Sequence, residues 1–346
     1  MKNRRSFLRK TRQADLALDH LRPGARVTVM ARLLEIRDFG DEYTRRTLSE
    51  RLARTFAMVK PHAVARLGEV LTAAVGAGFR IANLRLVHLT REEAGRFYAV
   101  HRERPFFGKL CEMMSSGPAV ALELVRDNAV AAWRDLLGPT DPAVARVEAP
   151  RSLRALIGED VTQNACHGSD AADTAEAECA FFFGSGAGCP PAAFRADGST
   201  AVAVALPAAV AAGGLGGIVT TISEHLEIVG AQLLSCTRQD AADCLEVYRG
   251  VIPSSEFDGL LHELASGPSV VLEVAHRGET GAASAVPALR ELCGPRDPEL
   301  ARLLRPDSLR ATFGRDRARP GVHCTDLEED GALEADFWFR CVGSVA

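Results

Sequence analysis

The chain repeats itself, and this repeat restricts its possible folds more than any other feature of the sequence. Three segments in the middle of the chain return in the same order nearer the C-terminus. They are SGPAVALELVRD and SGPSVVLEVAHR (from Ser116 and Ser266), LLGPTDPAVAR and LCGPRDPELAR (from Leu136 and Leu292), and SLRALIG and SLRATFG (from Ser152 and Ser308). So long a period indicates a duplicated domain, because solenoid repeats return every few tens of residues.

The spacing of the repeat locates the two copies. Ser152 and Ser308 are 156 positions apart, and so are His167 and His323. We therefore predict one domain over residues 54–184 and a second over residues 200–340. Residues 185–199 are rich in glycine, proline and alanine, which predicts a linker. Two domains also agree with the usual size of a domain in a chain of 346 residues.

Each copy is predicted to be α+β, with a ferredoxin-like βαββαβ fold. In the first copy, alternating or β-branched runs favour strands and Gly78 ends the first helix. The predicted elements are, in order, RTFAMVK (strand), GEVLTAAVGAG (helix), RIANLRLVHL (strand), REEAGRFYAVH (helical), AVALELVR (strand), a further helix, and the apolar run AECAFFF (strand). This order is that of the ferredoxin-like sandwich, with additions.

Residues 1–53 stand outside the repeat. The run ARVTVMARLLEIRDFGDEY predicts strands around Gly40, in a segment too short to hold a large core alone. The chain begins with six Lys or Arg residues before its first acid, Asp15. No apolar segment of a targeting peptide follows, so a solvated basic arm is the simpler interpretation.

Composition excludes several classes of function. A formal net charge of −4 and a pI near 6.2 argue against a nucleic-acid binder. No run approaches the ~20 apolar residues that span a bilayer, so we expect a soluble protein with no membrane partner. Nine cysteines without any C-x-x-C spacing indicate neither a disulfide framework nor a zinc site.

The motif NACHGSD places His167 in a glycine-containing loop, where three interpretations compete. The ring could be a satisfied structural group, a metal ligand, or a nucleophile or base. The metal interpretation lacks a second ligand at helical spacing. A nucleophile needs a partner that orients the ring and cations that accept an anionic group. The orienting partner could be Ser169 or one of the acids up to Glu178. The cations could be Lys60, Arg134 and Arg154.

Together the motifs FAMVKPHAV, FYAVHRERPFF, SGP, LLGPTDP, SLRALIG and NACHGSD resemble the nucleoside diphosphate kinase family, over residues 55–183. The resemblance implies an enzyme that moves a γ-phosphate between nucleoside tri- and diphosphates with Mg²⁺ bound through their phosphates. His167 would be phosphorylated, Ser169 and Glu178 would orient it, and Phe106 would stack on the base. Phosphate and sugar contacts are implied for Lys60, Tyr98, Arg134, Thr140, Arg154 and Asn164. One departure is KPHAV, where the family commonly has KPDGV.

The second copy has lost much of this set. Leu206 stands where Lys60 does, Leu245 opposite Tyr98, Arg296 opposite Thr140, and Pro320 opposite Asn164. His323, Arg290, Arg310, Thr325 and Glu334 persist. Losing two charge-assisted contacts would cost about 3 to 6 kcal/mol, or about two to four decades in rate. We therefore expect the second copy to be inactive.

One intact and one degraded copy after a short β-rich segment resemble the ciliary two-domain branch of the family. Residues 1–53 resemble the C-terminal part of the doublet-microtubule (DM10) module that precedes the kinase copies there. This implies a cytoplasmic, cytoskeletal protein of the ciliary axoneme or of the centrosome and basal body. The implied partners are tubulin and other axonemal proteins, or the γ-tubulin complex. Three functions stay open: an active kinase, a structural microtubule-binding protein with vestigial sites, and a protein histidine kinase, which nothing beyond the site supports.

Overall fold

A computed structural model of the chain describes residues 26–29, 32–41, 43–44, 53–184, 188–277 and 284–342. The basic arm lies outside these ranges. Two antiparallel strands, β1 (Arg26–Val29) and β2 (Arg32–Glu35), form a separate small sheet before Gly40. Residues 43–44 are helical, and Asp41 accepts a hydrogen bond from the Thr44 N–H at 2.7 Å. The strand expected after Gly40 is therefore absent at these positions.

The first copy contains four strands and seven α-helices among the described residues. The strands are β3 (Arg54–Val59), β4 (Arg80–Val87), β5 (Ala119–Val125) and β6 (Cys166–Gly168). The helices are α1 (Leu67–Gly76), α2 (Arg91–Phe97), α3 (Phe107–Met114), α4 (Ala129–Leu137), α5 (Pro142–Glu148), α6 (Leu153–Ile157) and α7 (Ala172–Phe183). Short 3₁₀ helices cover Pro61–Arg66 and Ala99–His101.

The second copy repeats this order. Its strands are β7 (Ala201–Ala205), β8 (Glu227–Ser235), β9 (Pro268–Ala275) and β10 (Val322–Cys324). Its α-helices are α8 (Pro207–Ala211), α9 (Leu215–His225), α10 (Arg238–Cys244), α11 (Ser254–Leu264), α12 (Val286–Cys293), α13 (Pro298–Leu304), α14 (Leu309–Phe313) and α15 (Gly331–Asp336). A π-helical turn, Phe337–Val342, follows the last of them.

All eight strands of the two copies form one antiparallel sheet in the order β10-β7-β9-β8-β4-β5-β3-β6. Read outward from its centre, each half has the order of a ferredoxin-like fold, so the predicted tandem fold is confirmed. Strands β4 and β8 meet where Arg85 pairs with Gln232. Both of these strands carry a register shift near their start, at Ile81/Asn83 and Ile228/Gly230.

The sheet separates two layers of helices because successive residues of a strand face opposite sides. On β3, Ala57 and Val59 join a core shared with α1 and α9, which extends across both copies. Phe56 and Met58 join a core on the other face, which belongs to the first copy alone. The second copy has its own equivalent core around Trp338.

Helices α1 and α9 hold the copies together through a close backbone contact between two glycines. A Cβ atom added to Gly68 would lie 2.2 Å from Thr220 Oγ1 and 2.7 Å from the Gly216 carbonyl oxygen. A Cβ atom added to Gly216 would lie 2.2 Å from Thr72 Oγ1. These reciprocal contacts indicate an approximate two-fold relation between the copies, in which each glycine admits the threonine of the other helix.

The prediction that AECAFFF forms the last strand is wrong. Residues 177–183 belong to α7, which buries Ala175, Cys179 and Phe182 at helical spacing. The last strand of the copy is instead the three-residue β6. Consequently Glu178 projects from a helix that packs against β3, the strand next to the one that carries His167.

The described part of the predicted linker, residues 188–199, is held against both copies. The Ala193 N–H donates to the Leu86 carbonyl at 2.8 Å, in the first copy. Both Arg195 and Ala196 donate backbone N–H groups to the Glu273 carboxylate at 2.6 Å, in the second. Glu273 is fully buried, so these bonds help to satisfy a carboxylate that water cannot reach.

Within the ranges that the structure describes, no helix combines the length and apolar character needed to cross a bilayer.

Candidate active site

His167 lies on the edge strand β6, where it pairs with Met58 of β3. Its side chain is about one-fifth exposed (21%). Three aromatic rings surround the imidazole: the centroids of Phe97, Tyr98 and Phe56 lie 5.4, 5.9 and 6.0 Å from its own. Of these, the sequence predicted only Tyr98. Phe97 and Phe56 were missed because an apolar ring in a strand or helix is usually a core residue. The signal that could have found them is their position within the motifs FYAVHRERPFF and FAMVKPHAV.

Glu178 fixes the orientation of the His167 ring. Its Oε1 lies 2.8 Å from Nε2 of His167, and its Oε2 accepts a hydrogen bond from Ser169 Oγ at 2.5 Å. Ser169 Oγ in turn accepts the Phe56 N–H at 3.2 Å. Ser169 therefore acts on the imidazole through Glu178. The structure therefore brings the three predicted residues together: Ser169 bonds Glu178, and Glu178 bonds His167.

The contact with Glu178 assigns different roles to the two ring nitrogens. When the neutral ring carries its proton on Nε2 and donates a hydrogen bond to the carboxylate, Nδ1 keeps a lone pair. No hydrogen-bond partner of Nδ1 is found among the residues described. This nitrogen is therefore the available nucleophile.

Two cations bond the backbone of residues 162–166, just before His167, and have no carboxylate partner in the described ranges. Lys60 is only 6% exposed, and its Nζ donates to the Thr162 carbonyl at 2.9 Å. Arg154 donates to the carbonyls of Gly138 at 2.9 Å and Cys166 at 3.3 Å. Burial, followed by the like charge of Arg154, lowers the pKa of Lys60 to about 8. An unpaired buried cation is costly to a fold, so this arrangement is suited to receiving an anion.

The remaining predicted polar residues form one side of the site. Asn164 Nδ2 donates to the Thr140 carbonyl at 3.0 Å, while its Oδ1 is buried without a partner in the part of the chain described. Arg134 is half-exposed and forms an ion pair with Asp170. Thus Asn164 and Thr140 are brought together, and Arg134 is held at the rim by Asp170.

An aromatic row leads outward from His167. Tyr98 is buried, and burial raises the pKa of its phenol, so the hydroxyl stays a protonated donor. Tyr98 stacks on His101, with centroids 6.3 Å apart, and His101 contacts Phe106 at 5.6 Å. Phe106 is 48% exposed at the outer end. A half-exposed ring at this position can stack on a planar base.

The equivalent site of the second copy keeps Arg310 and His323 but has leucines in place of the lysine and the tyrosine. Leu206 and Leu245 are buried where the first copy has Lys60 and Tyr98. They line a cavity of about 30 Å³ together with Trp338 and His323. Arg296 forms an ion pair with Glu256.

The ring of the second histidine is also held differently. Glu334 Oε1 lies 3.8 Å from His323 Nε2, which is beyond hydrogen-bonding distance. Thr325 Oγ1 nevertheless bonds Glu334 at 2.8 Å, as Ser169 bonds Glu178. The hydroxyl-carboxylate pair has thus persisted while the contact with the histidine has lengthened.

Both copies therefore define a nucleoside diphosphate kinase domain, and only the first keeps a full set of cationic and polar side chains. The family model described as nucleoside diphosphate kinase matches residues 53–187 and 199–342. The chain belongs to the nucleoside diphosphate kinase family.

Among its relatives, the chain is similar to nucleoside diphosphate kinase homolog 7 over almost its whole length. It is 41% identical to the protein of that name from Rattus norvegicus over 341 residues, which are 98% of this chain and 84% of the rat protein. The identity and coverage with the Mus musculus protein are the same.

Bacterial single-domain enzymes align with part of the chain. The nucleoside diphosphate kinase of Geotalea daltonii is 46% identical over 136 residues, covering 39% of this chain and 97% of its own. A solved structure of the Aquifex aeolicus nucleoside diphosphate kinase is 46% identical over 38% of this chain and 95% of its own, with a TM-score of 0.38.

Proposed function

We propose that the first copy transfers the γ-phosphate between nucleoside tri- and diphosphates through phosphorylated His167. The observation that carries this proposal is an oriented imidazole that directly follows a segment whose carbonyl groups bind Lys60 and Arg154. Neither cation has a carboxylate partner among the described residues. A triphosphate is an anion that would supply the missing partner.

The transfer takes two balanced steps. The lone pair on Nδ1 of His167 attacks the γ-phosphorus, and a P–N bond forms as the bond to the bridging oxygen breaks. That oxygen keeps the electron pair and leaves with the nucleoside diphosphate. In the second step, a terminal oxygen of another diphosphate attacks the phosphorus and Nδ1 recovers its lone pair. Glu178 stabilises the ring while it carries the phosphoryl group, because it holds the Nε2 proton throughout.

Magnesium is implied by the family, and it would neutralise charge on the phosphates of the nucleotide. The donors at the site are cations and amide groups, which suit phosphate oxygens and not a metal ion. No group of three or more His, Cys, Asp or Glu side chains in the described ranges could hold a metal. We therefore propose that Mg²⁺ is bound through the nucleotide phosphates.

An exchange assay tests the enzymatic proposal. The purified chain is given ATP, Mg²⁺ and a second nucleoside diphosphate, and formation of the new triphosphate is measured. We expect His167→Ala to abolish exchange and His323→Ala to leave it unchanged. Loss of exchange in His323→Ala alone would reverse the assignment of active and degraded copies.

We also propose a structural role at ciliary doublet microtubules, with tubulin and other axonemal proteins as partners. What favours it is a second copy that keeps its strands and core although leucines replace the lysine and the tyrosine of its former phosphate site. A domain retained without its chemistry is expected where binding keeps it useful. The alternative is a purely structural protein with two vestigial sites. It differs from the proposed structural role only in that the first copy would be inactive.

Axoneme extraction separates these proposals from the enzymatic one. Deletion of residues 1–50 should release the chain from isolated axonemes, whereas His167→Ala should remain bound. Recovery of the intact chain wholly in the detergent-soluble fraction would contradict the structural role. A bound chain without exchange activity would favour the purely structural alternative.

A further inference from the structure

His62 contacts the backbone of the segment that carries the catalytic histidine. It is the second residue of the 3₁₀ helix Pro61–Arg66, and its Nε2 accepts a hydrogen bond from the Ala165 N–H at 3.1 Å. The other ring nitrogen, Nδ1, is buried with no partner in the described part of the chain. His62 occupies the position where the related motif commonly has an aspartate, so the acceptor here is an imidazole and not a carboxylate.

Ala165 is a point at which the local backbone needs support. Its φ of +67° is in the left-handed region, which residues other than glycine seldom adopt. Its carbonyl accepts the Lys60 N–H at 2.9 Å, so both of its backbone groups bond to residues 60–62. Ala165 directly follows Asn164 and lies two residues before His167. A change at Ala165 would therefore move both of these side chains.

We propose that His62 is a positioning residue, whose neutral imidazole holds Ala165 and thereby places Asn164 and His167. An imidazole that carries both protons has no lone pair to accept the Ala165 N–H and would turn a second donor toward it. The hydrogen bond therefore exists in one protonation state only. The consequence for catalysis rests on the proposed function, whereas the link between His62 and the backbone does not.

The charges around His62 decide the pH at which the bond is lost. Burial has the largest effect and lowers the pKa of His62, and the positive charge of Lys60 lowers it further. The carboxylates of Glu159 and Asp160 and the backbone of Gln163 oppose this shift without reversing it. The ring is therefore neutral at pH 7, and we expect it to gain its proton, and Ala165 to lose its acceptor, below the ordinary histidine pKa of 6.5.

Selective isotope labelling can separate the NMR signal of the Ala165 amide from those of nearly all other residues. The chain has four asparagines, and only Asn128 and Asn164 precede an alanine. Labelling asparagine with ¹³C at the carbonyl and alanine with ¹⁵N should therefore give two correlated NMR signals, from Ala129 and Ala165. Ala129 serves as the internal reference. The nucleotide-free full chain is used with His167→Ala, so that His62 is the imidazole nearest to Ala165 among the contacts tested.

We expect the Ala165 signal to shift with a midpoint below pH 6.5 and Ala129 not to follow it. His62→Gln, which presents a carbonyl oxygen near the position of Nε2 but does not titrate, should remove this midpoint. His88→Gln, at an exposed histidine, should leave it in place. An Ala165 signal that titrates identically in the His62→Gln chain would overturn the proposal.

Kinetics provide the second readout, in the chain that retains His167. At pH 7.5, His62→Gln should keep exchange within about threefold of the unsubstituted chain, and His62→Leu should lower kcat/KM by at least tenfold. At pH 5.5 the advantage of His62→Gln over the unsubstituted chain should reach several-fold. Equal pH profiles for all three chains would overturn the positioning role. If no exchange occurs but Ala165 still titrates with His62, the proposed function is wrong and the His62 contact is supported.

Discussion

Oε1 of Glu178 lies 2.8 Å from Nε2 of His167, whereas the matching atoms of Glu334 and His323 are 3.8 Å apart. The first distance is a hydrogen bond and the second is not. In the first copy the carboxylate therefore orients the ring, and Nδ1 is the nitrogen that the proposed function uses. In the second copy the same pair of residues no longer does so.

The hydroxyl of Ser169 should affect the rate at which His167 is phosphorylated. Ser169→Ala removes the bond that holds Oε2 of Glu178, and a hydrogen bond to a charged group contributes about 1.5 to 3 kcal/mol. We expect phosphorylation to slow by about 10- to 100-fold in rapid-quench experiments. Thr325→Ala removes the equivalent bond of the second copy and should not change the rate. Equal effects of the two substitutions would be incompatible with a single active copy.

The charge of Lys60 should limit nucleotide binding at high pH. Its pKa is lowered to about 8, so the ammonium group that attracts phosphate is lost as the pH rises through that value. We expect the affinity for ATP, measured by calorimetry with His167→Ala protein, to fall between pH 8 and pH 9.5. Lys60→Arg keeps its charge and should flatten this dependence. The same decline in the arginine variant would exclude Lys60 as its cause.

The same lysine should destabilise the fold, and the direction of the effect follows from linkage. The pKa of Lys60 is lower in the folded chain than its ordinary 10.5, so the folded chain binds this proton more weakly than the unfolded chain does. The free energy of unfolding therefore rises as the pH increases from about 8 toward 10.5. At pH 7, Lys60→Leu, the residue found in the second copy, should raise the free energy of unfolding by up to about 3 kcal/mol while abolishing exchange. Urea denaturation measures this change. A less stable variant would show that Lys60 contributes more through packing than it costs through burial.

The contact between α1 and α9 should be sensitive to a single methyl group. Gly68→Ala places Cβ 2.2 Å from Thr220 Oγ1 and 2.5 Å from the Thr220 nitrogen, so the helices must separate. We expect a loss of about 1 to 3 kcal/mol in the free energy of unfolding. Gly76→Ala, in the same helix with no atom within 4 Å of the added carbon, is the matched control and should be neutral or slightly stabilising. If the two variants unfold at the same urea concentration, the close contact does not hold the copies together.

The sequence predicted the tandem fold because the motifs recur at fixed spacing, and local patterns located most of the strands. It failed at residues 177–183, where five apolar residues in a row resemble a buried strand. The helix that forms there is set by the spacing of Ala175, Cys179 and Phe182, which face the core together. Strand β6 has only three residues, and so short a segment cannot display an alternating pattern.

Contacts distant in sequence explain what local patterns could not predict at the site. The motifs identified His167, Ser169 and Glu178, but the order in which they bond depends on how α7 packs against β3, the neighbour of β6. The role of His62 depends on the position of Ala165, 103 residues away. Similarly, glycine and proline predicted a linker, whereas its attachment at Leu86 and Glu273 arises from the assembled sheet.

The most direct test of the account is to locate the phosphoryl group. The full chain is incubated with ATP and Mg²⁺, kept at alkaline pH where phosphohistidine survives, and examined by peptide mass spectrometry and ³¹P NMR. We predict one phosphoryl group per chain, on Nδ1 of His167, and none on His323. Phosphorylation of His323, of Nε2, or of neither histidine would contradict the account.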